Sequence, residues 1–186
     1  MQQSENSQMK RLSAMLTGLS RILNAWAIMG ATAAVFVMLG AAGWQVIARY
    51  LLTSPPSWTE ELARYSMVWA GMLGASCAFR DRSDPALFPA AQDRTGSTGL
   101  AFVLIRGVGV LLFVLPVIWF SVIGPRGGFA RSFLARAAER DAEMLHVPMV
   151  FFAIAIPVAF GLILVHLLAD LSTYLTRRED AVDGHG

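Results

Sequence analysis

Apolar positions gather into four runs that approach the roughly 20 residues a helix needs to cross a bilayer. They cover about residues 25–48, 60–79, 100–123 and 147–171. The first run is uninterrupted. The second opens on Glu60 and Glu61, the third carries Arg106 and Pro116, and the fourth carries Pro157 and His166. Proline inside a span is tolerated, usually with a kink, because neighbouring groups satisfy the freed carbonyl. Ahead of the first run, Leu12, Met15, Leu16, Leu19, Ile22 and Leu23 recur at helical spacing, with Lys10, Arg11 and Arg21 on the other face. That pattern predicts a basic amphipathic helix lying on the membrane surface. A secretory signal is the rival reading, with Ala31-Thr32-Ala33 as its cleavage site, but the apolar run continues well past it. The expected fold is therefore all-α. An integral membrane four-helix bundle over residues 25–175 follows an amphipathic interfacial helix in residues 1–24 and precedes a tail at 176–186. Residues 1–8 and 179–186 read as disordered ends.

Composition agrees. The 186 residues are 55% hydrophobic and 15% charged, with a net charge of +2. A soluble domain averages about 45–50% apolar and about 25% charged. Basic residues lie between apolar runs rather than in one patch, which argues against nucleic acid as a partner and for lipid headgroups. Cys77 is the single cysteine, so an intrachain disulfide and a cysteine-built metal site are excluded. Lysine and arginine favour the amino-terminal segment, the second connection and the tail, which places both termini in the cytoplasm. The connection at residues 124–146 is also basic. A short interfacial helix on the outer side and a solvated loop fit it equally well.

The densest chemistry lies between the first two runs. Residues 49–65 read RYLLTSPPSWTEELARY. Charge at a membrane boundary costs free energy unless it is paired, solvated or used by a partner. Pro55 and Pro56 stiffen the turn. Ser57 stands three residues before Glu60, the spacing of a capping box. Glu60 and Glu61 fall where the helix dipole favours anions, and Glu60 precedes Arg64 by four, the better order for an ion pair. Trp58, Tyr50 and Tyr65 suit the headgroup layer. A capped helical hairpin accounts for much of this. Two acids, two arginines and a tryptophan exceed what capping requires.

Arg49-Tyr50, a short turn, then Trp58-Thr59-Glu60-Glu61-Leu62-Ala63-Arg64-Tyr65 and Trp69 resemble the signature of the small, Q-type membrane subunit of tripartite ATP-independent periplasmic (TRAP) transporters. Gly71 and Gly74 ahead of Phe79-Arg80, and the later Val147-Pro148-Met149 and Ile156-Pro157-Val158, are similar to the same family. One stretch departs from it: Arg82-Ser83-Asp84-Pro85 stands where the family often has a Gly-x-His-Ile type sequence, so no role of that histidine carries over. The resemblance implies a supporting subunit in the bacterial inner membrane. It would hold a large multi-span permease subunit that takes up a carboxylate, such as a dicarboxylate, with sodium. A periplasmic substrate-binding protein would deliver the solute. The resemblance directs Arg49, Trp58, Glu60, Glu61 and Arg64 to stabilising the hairpin and its contact with the large subunit.

No catalytic constellation is present: the chain lacks HExxH, GxSxG and a phosphate loop. Three histidines, of which only His166 lies in a span, argue against a bis-histidine haem, so no cofactor is expected. His166 stands one turn before Asp170 and reads as a satisfied histidine near the boundary. Arg106 reads as snorkelling to headgroups. The alternatives from other classes are a four-helix membrane enzyme acting on a lipophilic substrate with a thiol cofactor, and a scaffold of another membrane complex. Small-residue stripes at Ala70, Gly74, Ala78 and at Ala153, Pro157, Gly161 permit close helix approach.

Overall fold

The computed structural model describes residues 2–81, 97–125 and 127–183. Arg82, Ser83, Asp84 and Pro85, where the chain departs from the family pattern, lie outside them. The described residues form six α-helices in order: α1 Gln2–Leu51, α2 Trp58–Arg80, α3 Ser97–Val122, α4 Phe133–Ala138, α5 Val150–Ala153 and α6 Ala155–Asp183. The all-α membrane bundle is as expected from the sequence. By length and composition, three helical stretches among the described residues suit a crossing: Ser7–Leu51, Val103–Val122 and Val150–Thr176.

Four boundaries differ from the sequence reading. The amphipathic segment is not a separate surface helix. It is the first half of α1, one helix of 50 residues, and a helix continuous with a span cannot also lie flat. Nothing between Gln2 and Leu51 breaks it, since that stretch holds no proline. For the same reason residue 2 onward is helical rather than disordered, and α6 likewise runs on to Asp183. The fourth run is divided at Ile154. Pro157 has no N–H to offer the Ala153 carbonyl, so it sits in the first turn of α6, where that donor is not needed.

α1 and α2 form an antiparallel hairpin: Ser20 meets Arg80 at one end, and a Cβ on Gly30 would touch Leu73 at 3.0 Å. α6 runs antiparallel to α1, pairing Ser20 with His166 and Thr17 with Thr173. α3 packs on the far side of α6, with Phe113 edge-on to Phe160. The face of α1 turned into the bundle repeats every seven residues. Ser13, Ser20, Ala27, Ala41 and Ala48 are buried, and Ala34 is half-buried. A seven-residue seam of small side chains lets antiparallel helices pack closely at a shallow left-handed crossing. Leu73 and Cys77 of α2 close on Ala27, with Trp69 and Leu162 around them.

α2 is long enough to cross, yet Glu60, Glu61, Arg64 and Arg80 lower its hydropathy. It packs against both α1 and α6; Thr59, Glu61, Ser66 and Ser76 are covered, while Glu60, Arg64, Met67, Gly71 and Ala75 stay exposed. A helix face covered by protein can carry polar groups that a lipid-facing one cannot.

The connection at 124–149 folds back over the end of the bundle where α1 meets α2. It contains a 3-10 turn at Phe129–Arg131 and the short α4. Of the two sequence readings, the short helix is the one present. Ser132, fully buried, caps α4 by accepting the Ala135 N–H at 3.1 Å. Gly124 adopts φ +80° and lies so close to Arg131 that a Cβ would stand 2.9 Å from its backbone. Only glycine fits such a turn. An antiparallel bridge between Asp141 and Pro148 ends the cap.

Candidate functional site

Polar chemistry concentrates in two layers, one at each end of the bundle. At the end carrying the cap, Glu61 is the hub. Its Oε1 accepts the Glu143 N–H at 3.0 Å, and its Oε2 accepts the N–H groups of Met144 at 2.8 Å and Leu145 at 2.9 Å. The Tyr65 hydroxyl, one turn further along α2, donates to Oε1 at 3.3 Å. An ionised carboxylate is an acceptor with two oxygens, and three converging amides plus a phenol use both. Tyr65 then stacks on Phe152, ring centroids 3.9 Å apart and 5° from parallel. Trp69 donates its indole N–H to the Phe151 carbonyl at 3.1 Å. One face of α2 thus pins the turn at 143–145 and the start of the last helical stretch.

The remaining bridge residues behave differently. Glu60 pairs with Arg64 at 3.3 Å, and both side chains are more than 60% exposed. An exposed pair of this kind stabilises by at most about 0.5 kcal/mol. Arg49 is exposed, and so is Trp58. The structure therefore brings Glu61 and Tyr65 into one cluster with the cap and leaves Arg49, Trp58, Glu60 and Arg64 on the surface. The expected capping box is not formed. Ser57 is in the αR conformation and makes no side-chain cap bond. Thr59 holds the start of the helix instead, its buried hydroxyl donating to the Pro56 carbonyl at 2.7 Å.

At the opposite end, α1, α2, α3 and α6 meet through a second set. Ser20 Oγ lies 2.8 Å from His166 Nδ1 and accepts the Arg80 Nε–H at 3.3 Å. Arg80 also reaches Asp81 at 3.4 Å. His166 is buried, and its Nε2, like Asn24 Oδ1, has no hydrogen-bond partner among the described residues. The histidine is thus held on one nitrogen, inside the bundle rather than at its surface. Arg106 does not serve lipid alone. It pairs with Asp170 at 3.4 Å, donates to the Phe79 carbonyl at 3.3 Å and lies 4.5 Å from the centre of the Phe79 ring. These bonds tie α2, α3 and α6 together, and sequence spacing gave no sign of them.

No cluster of three or more histidine, cysteine, aspartate or glutamate side chains suited to a metal occurs among the described residues. Both polar layers are made of residues bonded to their own chain. Between them lies an apolar middle around Ala27, Leu73 and Cys77. The arrangement holds the helices in fixed register.

Comparison with known proteins gives this arrangement a family. The family model for the DctQ component of tripartite ATP-independent periplasmic transporters matches residues 38–177. No curated protein matches the chain. The match takes in the end of α1, the bridge, the Glu61 cluster and most of α6. The chain is a membrane protein of a transport system and belongs to the DctQ component family of the tripartite ATP-independent periplasmic transporters.

Proposed function

We propose that the chain is the small membrane subunit that scaffolds a large multi-span permease during sodium-driven uptake of a carboxylate solute. A periplasmic binding protein delivers that solute, and this chain has no enzymatic step of its own. The observation that carries the reading is the family match over residues 38–177. The internal use of the polar groups supports a scaffold over a conducting role. In this reading α2 makes the fourth crossing, because its 23 residues suffice to span the bilayer and run antiparallel beside α1 as far as Ser20. Both termini then lie in the cytoplasm and the cap faces the periplasm. Arg49, Trp58, Glu60 and Arg64 contribute to the large subunit's contact at the capped end, while Glu61 holds the cap.

Reconstitution tests this directly. Vesicles containing the large subunit and this chain, supplied with the binding protein and a sodium gradient, are expected to take up labelled carboxylate. Vesicles without this chain are expected to lose that uptake, and equal uptake in both overturns the scaffold reading. For the topology, a Ser54→Cys variant is expected to react with an impermeant thiol reagent added outside, and a Gln8→Cys variant only after permeabilisation. Reaction of Gln8→Cys in intact cells overturns the assigned orientation.

A further inference from the structure

The outer face of α1 carries a second seven-residue pattern, roughly opposite the buried seam. Leu12, Met15, Leu19 and Ile22 follow one another at steps of three and four. The same steps continue through Trp26, Met29, Ala33 and Phe36, then Gly40 and Gly43, then Ile47 and Tyr50. Every one of these positions is exposed. The large side chains among them expose 47–77% of their surface. Alternating steps of three and four over this length are the spacing of a helix that packs along another helix. Gly40 and Gly43 have nothing within 4 Å of where a Cβ would stand, so the backbone is bare there and a partner can approach closely.

Lipid covers only part of this stripe. From Leu12 to Tyr50 a helix rises about 57 Å at about 1.5 Å per residue. At the average tilt of about 20° it still spans about 54 Å, against a hydrocarbon core of about 30 Å and about 45 Å with headgroups. The end at Leu12 to Ile22 precedes the uninterrupted apolar run and is flanked by Lys10, Arg11 and Arg21, so it stands at or beyond the headgroups. Apolar residues in an unbroken row past the bilayer mark a protein interface.

We infer that this stripe, from Leu12 to Tyr50, is the docking surface for the large subunit. Its occupant is one long helix of that subunit that crosses the membrane and continues past it beside α1. That helix presents bulk to Gly40 and Gly43 and small residues to Trp26 and Phe36. The inference rests on the proposed scaffold role and specifies its contact.

Co-purification from membranes tests it, using wild type and two variants of equal chemistry. One is Gly40→Leu with Gly43→Leu on the stripe. The other is Gly107→Leu with Gly109→Leu on α3, where an added Cβ also meets nothing within 4 Å. The stripe variant is expected to retain the large subunit at least about tenfold less well than wild type, with its own membrane level unchanged. The α3 variant is expected to retain it fully. Leu19→Cys in a Cys77→Ser background is expected to cross-link to the large subunit. Equal retention by the stripe variant overturns the docking inference alone, as does cross-linking of Leu19→Cys only to a second copy. A wild-type chain that retains no large subunit overturns the scaffold reading itself.

Discussion

Glu61→Gln is expected to loosen the capped end of the bundle, whereas Glu60→Gln leaves it intact. The two residues are adjacent and chemically identical, so their neighbours alone set the difference. Glu61 accepts three backbone N–H groups and a phenol, all within 3.3 Å. A glutamine there has one acceptor oxygen, and its amide nitrogen turns two donor hydrogens toward other donors. The Glu143, Met144 and Leu145 amides, partly buried in these bonds, then lose charge-assisted acceptors that a neutral amide oxygen replaces only in part. Glu60 faces solvent and loses only its pair with Arg64. Hydrogen exchange of the Glu143, Met144 and Leu145 amides measures the effect. In Glu61→Gln these amides are expected to exchange many times faster than in wild type, and in Glu60→Gln at the wild-type rate. Equal protection in both variants would show that the carboxylate does not hold the cap.

The second large effect is expected in the seam between α1 and α2. Ala48 is fully buried and Ala41 is 5% exposed. Leucine at either site must push the helices apart or adopt a strained rotamer, which costs about 1–3 kcal/mol per site. The double variant Ala41→Leu with Ala48→Leu is therefore expected to lower the thermal midpoint of the purified chain markedly. Gly40→Leu, one residue from Ala41 but on the open face, is expected to hold or raise it, since leucine favours helix over glycine. A midpoint for the alanine double variant equal to wild type would remove the seam as the element that sets the spacing of the hairpin.

Much of this was legible beforehand, and what was hidden has definite causes. The pair Glu60–Arg64 follows from spacing on one helix. So does the existence of the hairpin, since two apolar runs are joined by a turn with two prolines. The role of Glu61 could not be read, because its partners are backbone amides, which every residue but proline carries. The same holds for Arg106 and Asp170, which meet only once α3 has packed on α6. Thr59 displaced Ser57 as the anchor of α2 because the proline turn leaves the Pro56 carbonyl within its reach. The surface helix expected before residue 25 rested on an amphipathic pattern with a basic face. The pattern is present, but no residue ends the helix before the span. Small residues recur every seven positions from Ser13 to Ala48, which marks the inner seam better than the half-buried stripes at Ala70, Gly74, Ala78 and at Pro157, Gly161.

The bonds to Glu61 also carry a schedule. Its amide donors lie 82 to 84 residues further along the chain. At synthesis rates of about 5–20 residues per second, the carboxylate waits roughly 4–16 s after it emerges before they exist. Through that interval α1 and α2 can already be inserted as a pair, but the outer end of α2 has nothing to fasten to. Arrival of residues 143–145 fastens it, just before the last helix is made. Closure of the cap is thus a late step of biogenesis, and it separates chains that have passed the third connection from those that stopped short of it.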